Sequence, residues 1–382
     1  MRVALIDPSL FTLPYDRALL DGLTGAGHQA ELFARAPGPD DNDPGSIRLR
    51  PLFYRVADSR PARRLPGRVR LGLKGLDHVG SMLALRRALG RWKPDVIHFQ
   101  WLALPVVDRM FLPALRRLAP LVLTVHDTNP FNGDPSAGIQ GRGFFSGLAA
   151  FDRLIVHTEQ GRRRLIGAGL GADTLAVMPH GPLTALPPVR PNPMTGEITF
   201  LLFGKIKPYK GLDLLVSAFG ALSEPLRRQA RIRVVGKPYM DLQPIEAEAT
   251  RLGIADRLVI EPRFIGDDEV NRLFAPGVVA VFPYREIEAS GVLSIALAHG
   301  CPVIASSLGA FKEVVEDGTN GLLVGSEDVA ALSQALRRLI EDRGFAASCA
   351  AGARRSAEAI PGWDRIAEDT VALYRALPSA RA

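Results

Sequence analysis

The sequence predicts an α/β protein built as two doubly wound parallel sheets. Three observations carry this expectation. Short apolar, β-branched runs recur, each followed by a polar turn and a segment of helical period. The runs fall into two series of similar extent. A proline-dense stretch, Gly181-Pro-Leu-Thr-Ala-Leu-Pro-Pro-Val-Arg-Pro-Asn-Pro193, lies between the series and can form neither helix nor central strand.

The first series gives candidate strands Val3–Ile6, Asp95–Phe99, Leu121–Val125, Leu154–His157 and Leu175–Met178. The second gives Ile198–Phe203, Ile232–Val235, Arg257–Ile260, Val278–Phe282 and Pro302–Ala305. Between them, residues such as Leu212, Leu215, Val216 and Phe219 follow the i, i+3, i+4, i+7 spacing of one helix face. The expected domains are 1–183 and 197–360, joined by a linker over 184–196. Ligands of such sheets bind beyond the carboxyl ends of the strands. The polar clusters lie there: Asp7-Pro8, His126-Asp127, and the turns after Phe203 and Phe282.

A chain of 382 residues suits two domains, and 47% apolar content supports large cores. The two cysteines, Cys301 and Cys349, sit in apolar or Ala-rich surroundings and cannot make a disulfide framework. A reducing, cytoplasmic setting is expected. Met1–Asp7 turns polar too soon for a signal peptide, and no window approaches eighteen consecutive apolar residues.

The net charge of +7 is unevenly placed: residues 46–93 carry thirteen Arg or Lys against Asp58 and Asp77. Such a segment is either a solvated face or a seat for a polyanion, such as an anionic membrane surface or a phosphorylated acceptor. Nucleic acid is not expected, because stacking aromatics are not interleaved with the charges.

Two turns carry the chemistry. In Gly204-Lys-Ile-Lys-Pro-Tyr-Lys-Gly211, three lysines crowd a strand-to-helix bend whose glycines let the backbone approach a ligand. In Ser290-Gly291-Val292, a helix begins and its first N–H groups point outward. The lysine turn alone reads equally as an ordinary basic surface turn. Together in one half of an α/β chain the two turns suggest a diphosphate ligand. Glu286 and Glu288 precede the second turn, as helix N-terminal acids or as holders of sugar hydroxyls. His126 stands where it could bond a hydroxyl or a main-chain carbonyl, and Asp127 where it could cap a turn. His98 is open to the same two readings, and His180 reads as hinge packing. Asp41-Asn42-Asp43 has the Asp-x-Asp form of a divalent-ion site but lacks a preceding strand, so no metal is assigned. Gly25-Ala-Gly27 follows a helix and is not a dinucleotide fingerprint.

In this order, several segments resemble the retaining GT-B glycosyltransferases, specifically family 4. They are Thr124-Val-His-Asp127, Val177-Met-Pro-His-Gly181, Gly204…Lys210-Gly211, Pro283-Tyr…Ser290-Gly-Val, Gly300-Cys-Pro-Val303, Glu313-Val-Val-Glu-Asp-Gly and Gly321-Leu-Leu-Val324. The resemblance covers nearly the whole chain. It implies a GT-B fold of two Rossmann-like domains, with 361–382 forming a final helix that crosses back to the N-terminal domain. It implies a UDP- or GDP-sugar donor, with Lys205 and Lys210 on the diphosphate and Ser290, Gly291 and Val292 on the distal phosphate. Arg263, Phe264 and Ile265 would lie beside the base, and His126 near the transferred sugar. Tyr15 and Asp16 are implied as entrance-loop residues on the acceptor side, with Asp127. The acceptor would be a glycan or lipid-linked hydroxyl, with the protein peripheral on the inner membrane face. The reaction would retain anomeric configuration and use neither metal nor cofactor. The chain departs from the common pattern of two Glu eight positions apart, since Ala296 follows Glu288 at that spacing. That marks a Ser-Gly-Val variant. The competing reading is a catalytically silent protein that binds a sugar nucleotide.

Overall fold

The computed structural model describes residues 1–38, 41, 43–128, 144–183, 193–287 and 290–378. The chain divides into two units, one formed by Met1–Pro179 with Pro361–Ala382, the other by His180–Ile360.

The first unit holds a seven-stranded sheet of order β3-β2-β1-β4-β5-β6-β7. Its strands are β1 Arg2–Asp7, β2 Gln29–Arg35, β3 Leu49–Phe53, β4 Val96–Phe99, β5 Leu121–Val125, β6 Arg153–Val156 and β7 Leu175–Val177. Every neighbouring pair is parallel, with Leu5 opposite Leu32 on one side and His98 on the other. The second unit holds six strands in the order β10-β9-β8-β11-β12-β13. They are β8 Ile198–Phe203, β9 Ala230–Val235, β10 Leu258–Glu261, β11 Val278–Phe282, β12 Val303–Ser306 and β13 Gly321–Val324. These too are all parallel. In both units the strand order reverses beside the first strand, between β1 and β4 and between β8 and β11. A crevice for ligand opens at such a point, because successive crossover helices leave on opposite faces.

The inner strands, such as Leu121–Val125 and Val278–Phe282, are buried and largely apolar, as expected where helices cover both faces. Phe200, Leu202 and Ile232 face one core of the second unit, while Leu201, Val235 and Phe282 face the other. Met194, assigned from sequence to the linker, is buried in the first of these cores. Residues 184–192 of that linker lie outside the described residues.

Three strands escape the sequence reading. Glu31 interrupts the apolar run of β2, yet it is only 5% exposed and ion-paired to Arg50 of β3. β3 is an edge strand containing Pro51, and β13 is four residues long. Both are weak patterns.

The C-terminal helix Trp363–Arg375 packs on the first helix, Leu13–Gly25. The approach is close at Gly22, where a Cβ would stand 2.7 Å from the Trp363 carbonyl oxygen. The long helix Gly67–Trp92 buries His78, Ser81, Met82, Leu85 and Leu89. Buried His78 bonds Asp108 Oδ1 at 2.6 Å and the Tyr54 hydroxyl at 3.0 Å, fixing which face of that helix points inward. Among the described residues, no helix is long and apolar enough to cross a membrane.

Candidate functional site

β8 ends at Phe203 and the chain turns at Gly204, with φ at 105°. A 3-10 turn, Pro208–Lys210, then leads through Gly211, with φ at 65°, into the helix Leu212–Gly220. The positive φ at Gly211 is one that a side chain would strain, and its Cβ would stand 2.0 Å from the Pro283 carbonyl oxygen. The lysine turn is thereby pressed against the exit of β11. Lys210 is 6% exposed, with Nζ donating to the Phe203 carbonyl oxygen at 3.2 Å and lying 5.2 Å from the centre of the Tyr284 ring. Burial, with Lys205 and Lys207 adding like charge, lowers its pKa to about 7.

The second turn follows β11. Ser290 caps the helix Gly291–Ala298, its side chain accepting from the Leu293 N–H at 3.3 Å. The first-turn amides of such a helix have no intrahelical acceptor. A Cβ on Gly204 would stand 2.9 Å from Lys210 Nζ and 3.7 Å from Val292 Cγ2. Gly204, Lys210 and Val292 therefore meet, on adjacent strand exits, at the point where the strand order reverses. His180, read from sequence as hinge packing, also reaches this place. Its Cε1 would be 3.5 Å from a Cβ on Gly291, and burial lowers its pKa.

Arg285 and Lys237 complete the surroundings and were not singled out from sequence. Arg285 forks onto Asp213 at 2.9 and 2.6 Å, reaches Glu327 at 2.9 Å and donates to the Pro208 carbonyl oxygen at 3.0 Å. Its backbone N–H bonds the Tyr209 carbonyl oxygen at 2.7 Å, so this one residue braces the lysine turn. Lys237 follows β9 and adds its charge beside Lys205. A lysine-rich exit shared by β8 and β9 was the available signal.

Elsewhere in this unit, Arg263 pairs with Glu261 and Glu269. Phe264 is 54% exposed, and Ile265 belongs to the core. Glu286 is partly buried just beyond β11. Glu288 lies outside the described residues.

In the first unit, His126 follows β5 and is half-buried. Its Nδ1 is 3.1 Å from His157 Nε2, and its Nε2 is 3.1 Å from Gln100 Oε1. Both ring nitrogens are thus engaged within the unit, and a substrate hydroxyl would have to displace one partner. Asp127 beside it is half-buried. Tyr15 and Asp16 are not in an entrance loop. They lie on the first helix, 4% and 0% exposed, because Leu13 and Pro14 start the helix early. The Tyr15 ring packs on His126, His157 and Trp363 at centroid distances of 4.6, 5.3 and 4.9 Å. Asp16 faces Asp7, and Thr12 Oγ1 lies 3.3 Å from Asp7 Oδ2 and 3.2 Å from Asp16 Oδ1. Burial first, and the Asp7 charge second, hold the Asp16 carboxyl well above its ordinary pKa.

Asp41 of the Asp-x-Asp segment is committed to Arg35 at 2.6 Å, and Asp43 caps Gly45. Asn42 lies outside the described residues. Among the described residues, no group of three or more His, Cys, Asp or Glu side chains is arranged to hold a metal ion.

Comparison with known proteins agrees with this architecture. Residues 17–182 match the family model "Glycosyltransferase Family 4", and residues 197–342 match "Glycosyl transferases group 1". A D-inositol 3-phosphate glycosyltransferase of Acidothermus cellulolyticus is 30% identical over 308 residues, covering 74% of this chain and 67% of the relative. The enzyme of that name from Xylanimonas cellulosilytica is 29% identical over 96% of this chain and 90% of its own. Among solved structures, sucrose-phosphate synthase from Thermosynechococcus elongatus superposes with a TM-score of 0.76 at 21% identity, covering 98% of both chains. Anabaena Alr3699/HepE in complex with UDP and glucose gives 0.76 at 19% identity, covering 99% of this chain and 100% of its own. The protein belongs to the family 4 glycosyltransferases and has the GT-B fold.

Proposed function

We propose that the protein moves a sugar from a UDP- or GDP-sugar to a hydroxyl of a glycan or lipid-linked acceptor, with retention of anomeric configuration. The observation that carries this reading is the meeting of Lys210, Gly204 and Val292 at one strand-order reversal. Lys205 and Lys210 supply charge-assisted donors to a diphosphate, and the Ser290–Val292 amides supply oriented ones. Both strengthen as charge develops on the departing diphosphate, which is how binding groups accelerate a transfer. In that reading the leaving phosphate takes the acceptor's proton, so a separate protein base is not required. No metal or cofactor is assigned a part. Glu286 and Glu288, which precede the second turn in the sequence, are the carboxylates this reading assigns to the sugar, Glu288 lying outside the described residues.

The test is a panel of UDP, GDP and their hexose conjugates. A bound nucleotide at one hundred times its dissociation constant stabilises the protein by about 2.7 kcal/mol. Turnover of the matching sugar nucleotide, lost in Lys210→Ala, supports a transferase. Binding without hydrolysis or transfer to any acceptor favours the silent alternative. The names of the relatives add D-inositol 3-phosphate as an acceptor to include. Its use in preference to glycan and lipid-linked acceptors would overturn the acceptor class proposed here.

The acceptor reading extends to an anionic membrane surface at the helix Gly67–Trp92. Val69, Leu76, Val79 and Leu83 share the face opposite its buried residues, at spacings of seven, three and four. They are 54, 75, 37 and 41% exposed, and exposed Arg68, Arg86 and Arg87 flank them. An apolar stripe bordered by arginines suits the boundary between headgroups and acyl chains.

A further inference from the structure

We propose that His126 and His157 titrate as one site, and that Gln100, His98 and Tyr374 are positioning residues that set how many protons this pair holds. The inference deepens the function proposed above and rests on it only for the relevance of His126 to transfer.

The row of bonds starts at a main-chain carbonyl. Met178 O can only accept, so His157 Nδ1, 3.0 Å away, carries a hydrogen. One further hydrogen lies between His157 Nε2 and His126 Nδ1, 3.1 Å apart. Beyond it stand Gln100 Oε1, 3.1 Å from His126 Nε2, and Gln100 Nε2, 3.4 Å from His98 Nε2. His98 Nε2 also lies 2.8 Å from Thr124 Oγ1, and His98 Nδ1 bonds the Tyr374 hydroxyl at 2.5 Å. Gln100 and His98 are both fully buried, so water does not relieve a mismatch.

An amide oxygen only accepts and an amide nitrogen only donates. Two patterns satisfy the row. With the Gln100 oxygen toward His126, Nε2 carries a hydrogen and the two imidazoles share one proton beyond neutrality. His98 Nε2 then accepts from the amide, and His98 Nδ1–H donates to Tyr374. With the amide turned over, its NH₂ group donates to His126 Nε2 and the pair is neutral. His98 then donates from Nε2, and Tyr374 donates to His98 Nδ1. Burial lowers the pKa of His98 to about 3, so it changes tautomer without changing charge. One proton gained from solvent by the pair thus reverses a row of bonds that ends on the C-terminal helix.

Among the described residues, the groups facing the pair include Tyr15 and, behind it, Asp16 from the first helix, with Asp127 beside His126. Arg164 of the helix Glu159–Gly167 reaches Thr128. The charged pair can offer His126 Nε2–H to a sugar or phosphate oxygen in place of Gln100. The neutral pair can accept there from a hydroxyl.

The experiment is ring ¹⁵N spectroscopy of histidine-labelled protein between about pH 5 and 8.5, which brackets ordinary histidine titration. Only seven rings need assignment. His126 and His157 should share one midpoint. At that midpoint His98 should pass from Nε2–H to Nδ1–H as pH falls, while staying neutral. Independent midpoints, or a single His98 tautomer throughout, overturn the proposal, and this measurement needs no variant to fold. In Gln100→Glu the carboxylate only accepts and should raise the midpoint by about one to three pH units. Gln100→Leu can neither accept nor donate, and an apolar side chain disfavours the charged form of the pair more than the neutral one, so the midpoint should fall. Shifts of the same sign in both variants indicate a merely structural residue and sink the idea. The titration counts protons and not turnover, so an error in the donor or acceptor proposed above leaves its outcome readable.

Discussion

Lys210 Nζ donates to the carbonyl oxygen of Phe203, the last residue of β8, at 3.2 Å. The ammonium is folded back on its own strand and largely shielded from water. Burial and the like charges of Lys205 and Lys207 lower its pKa to about 7, so it is far more readily neutralised than an ordinary lysine. A diphosphate restores the charge, so donor binding takes up a proton. Uptake should therefore be larger at pH 8 than at pH 6. Affinity should fall up to about tenfold per pH unit above 7, until the pKa of the bound form is reached. Calorimetry of UDP or GDP in buffers of different ionisation enthalpy measures this, and uptake independent of pH would refute it. Stability has the opposite slope. The unfolded lysine, at 10.5, holds more protons than the folded one, so wild-type stability rises with pH between about 7 and 10.5. Lys210→Met should remove that rise and abolish donor binding.

Arg285→Met should raise the donor KM by about tenfold, the loss of roughly 1.4 kcal/mol of binding, with kcat changed less than threefold. The variant leaves Asp213, Glu327 and the Pro208 carbonyl without the group that ties them to the lysine turn. Arg285→Lys should recover only part, because an ammonium cannot fork onto Asp213 while reaching Glu327. Equal defects in KM and kcat would show that the brace serves a later step.

Sequence alone made much of the fold legible, because parallel strands buried on both faces leave continuous apolar runs such as Leu121–Val125 and Val278–Phe282. It lost β2, where a single ion pair with Arg50 allows Glu31 to be buried. The two basic and amide-rich turns were legible because their chemistry is local. Arg285 was not, since Asp213 and Glu327 are 72 and 42 positions away. The His126–His157 contact spans 31 positions and depends on β5 and β6 being neighbours. Tyr15 and Asp16 were misplaced because the loop after β1 is shorter than its sequence suggests, with the helix already begun at Leu13.

Gly211→Ala should destabilise the second unit by about 3 kcal/mol or more, combining left-handed strain with a backbone collision at Pro283. Gly253→Ala is the control. Gly253 has φ at 66° but nothing within 4 Å of its absent Cβ. That change should cost about 1 kcal/mol by strain alone. Urea unfolding midpoints compare them, and equal losses would contradict the close approach of the lysine turn to β11.

For the helix Gly67–Trp92, the protein should sediment with anionic vesicles and not with neutral ones. Replacing Arg68, Arg86 and Arg87 by Gln should weaken binding about a hundredfold, at about 1 kcal/mol per charge. The pair Leu76→Gln and Leu83→Gln should also release the protein while leaving its charge intact. Equal recovery on neutral vesicles would end the membrane reading. Release by the arginine changes alone would reduce it to a charge effect without insertion.

Asp16→Asn tests the acid pair beneath the loop after β1. Asp16 in the folded protein stays protonated well above 3.8, because it is buried and faces Asp7. Unfolding exposes an ordinary carboxyl. Above about pH 4 the unfolded chain therefore releases a proton that the folded chain keeps. Stability from this group is complete below the unfolded pKa and is lost as pH rises toward the folded one. Asparagine resembles the protonated acid in shape and has no proton to lose. Thermal midpoints of wild type and Asp16→Asn should therefore be close at pH 4 and diverge toward pH 8, with the variant the more stable. A variant less stable at pH 8 would mean that Asp16 is ionised in the fold, with the Thr12 hydroxyl outweighing burial and the repulsion from Asp7.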